Sequence, residues 1–216
     1  MEPETSKNIN LGFSGSLNKS RTLSTDINFF YRNTEDFIRV VPLGFITARH
    51  ENTNAQLTKG FEGSLKYKNR KSLMIGLALT YQDMRRRKSG NALEDSKTPN
   101  VPYLFTNINA SKEFKEIFDK PLDLEAYCNY FFTEQYLLYP INKNLEPRLF
   151  ERNLPYTDLI IPAQNQLDAG LTLKLQNIPI NINAQINNIT NADLYDQFRV
   201  QKPLRNFRIK LSYKLK

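Results

Sequence analysis

One cysteine and one histidine are all this chain has of the two residue types most used as metal ligands and as nucleophile or base. Cys128 alone excludes an internal disulfide framework and a thiolate cluster, and a lone His50 argues against a histidine-based metal site or triad. Tryptophan is absent. Long apolar runs are absent too: nothing approaches the roughly 20 consecutive apolar residues of a transmembrane helix. No 3.6-residue period and no capping box ahead of an apolar run predicts a helix. The opening residues, Met1-Glu-Pro-Glu-Thr-Ser-Lys7, lack the basic and apolar regions of a secretory leader. An exported protein with this start is therefore expected to be mature, truncated or mis-started. The positive excess is moderate, a formal +8, and is spread over most strands and turns. A nucleic-acid binder gathers its cations with aromatics on one face, so no nucleic-acid partner is expected.

Alternation takes the place of these features. In residues 178–187, Ile178, Ile180, Ile182, Ala184 and Ile186 alternate with Asn181, Asn183, Gln185 and Asn187. In residues 206–215, Phe207, Ile209, Leu211, Tyr213 and Leu215 alternate with Asn206, Arg208, Lys210, Ser212 and Lys214. A period of two puts one set on each face of a strand. Such strands need an apolar medium on one side and a wet one on the other. A soluble sandwich or barrel over its own core supplies that pairing, and so does a membrane barrel with a polar lumen.

The same pattern, with variations, runs through the chain. Strands are expected from Asn8 to Asn18, from Thr22 on (interrupted by Asn33-Thr-Glu-Asp36, with a continuation through Phe37, Arg39 and Val41 that Pro42-Leu-Gly44 ends), and over 45–68, whose polar first half stands clear of the apolar layer. Others follow from Leu73 past Tyr81, over 103–114 with less clean alternation, through 122–132 including Cys128, and over 167–175, before the final hairpin. The fold class is all-β: an antiparallel barrel segment of about nine meandering strands. Short turns near Asn18, Asn69, Lys115 and Asn177 alternate strictly with longer loops near Pro42, Gly90, Pro147 and Asp196. All the long loops therefore fall at one end, as in outer-membrane barrels with short periplasmic turns and long extracellular loops. Tyr67, Phe114 and Tyr213 near one end, with Tyr81, Tyr103 and Tyr136 near the other, are candidates for interfacial aromatic bands.

Two stretches carry a resemblance. Asn187-Asn-Ile-Thr-Asn-Ala-Asp-Leu-Tyr195, then Lys202-Pro-Leu-Arg205 and a last strand, resembles the terminal hairpin of TonB-dependent outer-membrane receptors. Lys59-Gly-Phe-Glu62 followed by Thr80-Tyr-Gln-Asp83 is similar to an earlier strand pair of that family. The resemblance covers nearly the whole chain. It implies that residues 1–216 are the C-terminal portion of a barrel domain of about twenty-two strands. It further implies short turns in the periplasm, location in the cell outer membrane, and a missing N-terminal plug through which alone TonB would be met. Two features depart from the family: Pro203-Leu204-Arg205 lacks a usual glycine, and the chain closes on Leu215-Lys216 rather than on an aromatic residue.

The functional expectation follows from that resemblance. The chain is read as part of a receptor for energised uptake of a scarce solute of siderophore or glycan type, inactive alone without its plug. The alternatives are a small self-contained barrel binding a lipid or sugar, and an outer-membrane porin or adhesin that does not use TonB. Expected partners are outer-membrane lipid and lipopolysaccharide, with room for a cell-surface lipoprotein. Arg85-Arg86-Arg87-Lys88 is a candidate for lipopolysaccharide phosphates or an anionic solute, against a plain solvated loop base. His50 is a lone exposed histidine, and Cys128 a small hydrophobe on an apolar face. Glu94-Asp95 has no base or metal partner in sequence, and no nucleophile elbow, phosphate loop or zinc spacing is present. No catalytic residue, metal ligand or cofactor is expected, and no substrate-binding residue is assigned.

Overall fold

The structure, a computed structural model, describes residues 1–42, 47–52, 55–86, 98, 100–137, 160–196 and 200–213. The strands are β1 (Thr5–Ser16), β2 (Leu23–Glu35), β3 (Ile38–Pro42), β4 (Ala48–Asn52), β5 (Gln56–Lys68), β6 (Leu73–Arg86), β7 (Leu104–Phe114), β8 (Leu122–Thr133), β9 (Tyr136–Leu137), β10 (Ile160–Ile161), β11 (Gln164–Leu175), β12 (Ile180–Asn187) and β13 (Asn206–Tyr213). Nine of them form one sheet in the order β1-β2-β5-β6-β7-β8-β11-β12-β13. Every pairing in it is antiparallel. The sheet is therefore a meander, and most of its strands are long enough to cross a bilayer at a tilt. Among the described residues the sheet is open, with β1 and β13 pairing on one side only.

The expected alternation of turns is present. Residues 17–22, 69–72, 115–121 and 176–179 make the connections at one end. Residues 36–55, 87–103, 134–163 and 188–205 join strands at the other. Side-chain oxygens close the short turns. Asn18 Oδ1 accepts from the Thr22 and Leu23 amides at 3.0 and 3.2 Å, and Asn69 Oδ1 accepts from the Lys71 and Leu73 amides at 2.9 and 3.0 Å. Such Asx contacts pull the chain back within a few residues.

Three details differ from the sequence reading. The second strand does not continue past Glu35, because Asp36 takes a left-handed conformation with φ 54° and turns the chain into β3. β3 pairs with β4 in a separate hairpin at the long-connection end, so the strand expected over 45–68 is two elements, β4 and β5. The polar first half does stand apart from the main sheet. A short 3₁₀ turn, Ile117–Asp119, also sits in the connection before β8. Residues 214–216, where the last expected apolar position falls, lie outside the described residues.

Among the described residues, no apolar core lies beneath the sheet. The buried apolar residues among those described are Leu57, Tyr103, Ile161 and Leu194.

Candidate functional site

The sheet itself is the site, and its two faces differ in kind. On one face the register aligns rows of apolar side chains across the strands. Leu11, Phe29, Phe61 and Tyr81 make one row. Tyr67, Ile75, Ala110, Cys128, Ala169, Ile186 and Phe207 make another. Many of these are exposed: Leu77, Leu171, Ile209 and Leu211 are 37%, 49%, 80% and 68% accessible. A sheet that turns such residues outward over nine strands is built to meet hydrocarbon.

The opposite face is polar. One row runs Ser14, Asp26, Ser64, Ala78, Asn107, Phe131 and Gln166. Amides and hydroxyls dominate its middle, interrupted by a few aromatic rings. Gly60 shows how the rings are kept flat: a Cβ there would come within 2.7 Å of the Phe30 ring. Tyr127 likewise lies across Gly170, and its hydroxyl accepts from Asn183 Nδ2 at 3.0 Å. Near the long-connection end this face hollows beside Asn10, Asn28, Phe30, Arg32, Glu62 and Gln82, with a volume of 520 Å³. A second hollow of 460 Å³ lies beside Tyr136, Gln164, Tyr195, Asp196 and Lys202.

Near the short-turn end the polar face becomes ionic. Glu113 on β7 stands directly opposite Glu125 on β8. Two facing carboxylates repel, and Lys174 on β11 relieves this by pairing with both, at 3.2 and 2.9 Å. Lys115 bridges Glu113 and the buried Asp123 at 3.1 and 3.0 Å. Asp123 also accepts from the Glu116 amide at 3.0 Å and from Gln176 at 2.8 Å. Lys115 lies in the turn, and its pKa is raised first by the hydrogen bond to Asp123, then by that to Glu113. The ladder ties three strands together across their ends.

The residues singled out by sequence fall on both faces and on the rims. Arg85 lies next to the end of β6, where its Nε donates to Asp83 Oδ1 at 2.8 Å. Arg86 closes β6, while Arg87, Lys88, Glu94 and Asp95 lie outside the described residues. His50 is exposed on β4. Cys128 is exposed on the apolar face between Ala110 and Ala169. Tyr67, Phe114 and Tyr213 are exposed at or near the short-turn ends of their strands, on the apolar face. At the other end only Tyr81 does what the banding expects. Tyr103 is buried at 2% accessibility, with its hydroxyl donating to the Met84 carbonyl, and Tyr136 lines the second polar hollow. On the apolar face there, Phe29, Phe61 and Tyr81 form a tilted ladder at centroid spacings of 6.1 and 5.9 Å, with Tyr31, Tyr130 and Phe132 on the same face. Among the described residues, no three His, Cys, Asp or Glu side chains group as a metal site.

The turn before β13 explains the first family departure. Asn188 is buried and left-handed at φ 52°; its side chain donates to the Ala192 carbonyl at 2.8 Å and accepts from the Ala192 amide at 2.9 Å. Asn191, at φ 55°, accepts from the Arg205 amide at 3.0 Å. None of residues 202–205 has positive φ. The asparagines supply the left-handed positions, so no glycine is required near Leu204.

Residues 1–189 match the family model described as TonB dependent receptor-like, beta-barrel. No curated protein matches the chain. Solved structures resemble it strongly in shape. The FrpB iron transporter from Neisseria meningitidis (F3-3 variant) superposes with a TM-score of 0.71 at 14% identity, over 97% of this chain and 30% of that one. BauA, the ferric preacinetobactin receptor from Acinetobacter baumannii, gives 0.70 at 18% identity, over 99% and 30%. The copper transporter OprC gives 0.71 at 13% identity, over 98% and 31%. The chain thus spans about three-tenths of the length of these structures.

Proposed function

The chain belongs to the TonB-dependent receptor β-barrel family, an outer-membrane family of receptors and not of enzymes, and from that premise we propose that it forms receptor wall for the energised uptake of a scarce solute. The observation that carries the reading is the separation of faces across all nine sheet strands, with every long connection at one end. The apolar face meets lipid, and the polar face lines the lumen. The short turns face the periplasm, and the long connections reach the cell exterior.

In this reading the wall works with a plug that fills the lumen and contacts TonB, and does not transport without it. The middle of the inner wall, rich in amides and hydroxyls, and its flattened rings suit a close-fitting occupant. The hollow beside Arg32, Glu62 and Gln82 lies toward the exterior, where an arriving solute first meets the wall. Siderophore and glycan types remain the solute classes. The names of FrpB, BauA and OprC speak of iron, ferric preacinetobactin and copper for those proteins. Lipopolysaccharide near Arg85 and a cell-surface lipoprotein over the long connections are the further partners of this reading.

The test is a blot of fractionated cells with an antibody against residues 206–216. The expected result is an outer-membrane band, extracted only by detergent and several times larger than 25.2 kDa. A monomer of that mass, soluble without detergent, overturns the reading and returns the small self-contained barrel.

A further inference from the structure

The apolar face is not uniformly studded. Around Ala126 on β8, Ala169 on β11 and Ala184 on β12 it sinks into a furrow of 510 Å³, rimmed by Leu171, Phe207 and Ile209. Directly across from Ala126, on the neighbouring strand, stands Lys112. It shares the apolar face of β7 with Leu104, Thr106, Ile108, Ala110 and Phe114, where it is the single charge. Its ammonium lies 4.8 Å from the centroid of the Phe114 ring, so the side chain leans toward the short-turn end. A lysine on a lipid-facing wall behaves this way when its stem stays in hydrocarbon and its charge reaches the headgroup level. Among the described residues no carboxylate pairs with it.

The furrow begins one strand from this cation, at Ala126, and crosses β11 and β12 to Phe207 and Ile209 on β13. The row through Lys112, Ala126, Leu171 and Ala184 lies nearer the short turns. The row through Ala110, Cys128 and Ala169 lies one step deeper in the membrane. Phosphate above and acyl chain below is the arrangement of one lipid seen from its headgroup.

We propose that Lys112 and the furrow hold one phospholipid of the periplasmic leaflet, its phosphate on the ammonium and one acyl chain along Ala126, Ala169 and Ala184. The site rests on the reading that the apolar face meets lipid. It is continuous with that face and complementary in charge to a phosphate. Lipopolysaccharide would enter from the opposite rim, where its phosphates could not reach Lys112.

Native mass spectrometry of the full chain, extracted from outer membranes in mild detergent and offered dioleoylphosphatidylglycerol, tests this. Wild type is expected to keep one lipid. Lys112→Gln is expected to lower its occupancy roughly fivefold, the effect of one basic contact near a membrane surface, and Ala169→Leu, which fills the furrow, to lower it too. Lys71→Gln, which removes an exposed cation from a turn at the same end, should leave occupancy unchanged. Lys112→Arg keeps the charge and should keep the lipid, so with Ala169→Leu it carries the test if Lys112→Gln does not fold. Unchanged occupancy in Ala169→Leu, or an equal loss in Lys71→Gln, overturns the site. So does lipopolysaccharide, or a second copy of the chain, as the retained species. A chain soluble without detergent would instead remove the membrane-wall reading itself, whereas a detergent-requiring barrel with unaltered lipid removes only this site.

Discussion

At the scale of single residues, a few buried polar groups hold the wall in register. Asp168 is 7% accessible and accepts the amide of Asn188 at 2.8 Å. Asp168→Ala leaves that buried donor unpaired and is expected to cost about 1–3 kcal/mol. Asp168→Asn keeps an acceptor and should recover most of the loss; urea unfolding from lipid vesicles reads both. Lys115 gives a dependence on pH. Its folded pKa lies above the unfolded value, so its contribution is complete below about pH 10 and disappears as pH rises through the folded pKa. The protection factor of the Glu116 amide, corrected for base-catalysed intrinsic exchange, should therefore fall as pH rises through the folded pKa of Lys115 in the native protein. In Lys115→Gln the protection should be low at neutral pH already, with no such alkaline fall.

Whole strands carry the next set of consequences. Leu77 and Leu171 project from the apolar face, and Asn107 from the polar one. Leu77→Arg and Leu171→Arg are expected to cost about 2–4 kcal/mol if they sit near mid-bilayer, while Asn107→Arg should cost under about 1 kcal/mol. Folding titrations in vesicles check the difference, and a soluble core would make both leucine variants unfold outright. The strands themselves were legible because alternation fixes which side chains share a face. The imperfect alternation over 103–114 was real: Phe105 turns to the polar side and Lys112 to the apolar one. What alternation does not reveal is register. Glu113 and Lys174 meet from 61 positions apart, and only the pairing of β7, β8 and β11 brings them together. The break at Asp36 was half legible: Asn33-Thr-Glu-Asp36 already read as an interruption, but not as the turn into a separate hairpin. A single left-handed aspartate can divert a strand without disturbing the residue pattern on either side. Tyr103 and Tyr136 were misplaced because strand position says little about which way a residue turns once the strand frays into a connection.

For the molecule as a whole, the number of strands in the sheet governs what its edges can do. With nine antiparallel strands, β1 and β13 run in the same direction, so they cannot complete an antiparallel ladder with each other. Their outer amides are expected to exchange faster than those of β6, β7 and β8 when the chain is studied by itself, and hydrogen exchange in detergent measures this. Asn52, on the outlying hairpin, shows where the chain begins: its side chain accepts from the Glu2 amide and donates to the Glu2 carbonyl, both at 2.8 Å. The head of the chain is thus tied to the long-connection rim, while Tyr213 pairs with Ile180 beside the short turn at 176–179. An uneven number of crossings makes the thread vectorial. In an intact cell, a dye or protease added from outside would reach the segment around Glu2, and only one already within the envelope would reach Tyr213.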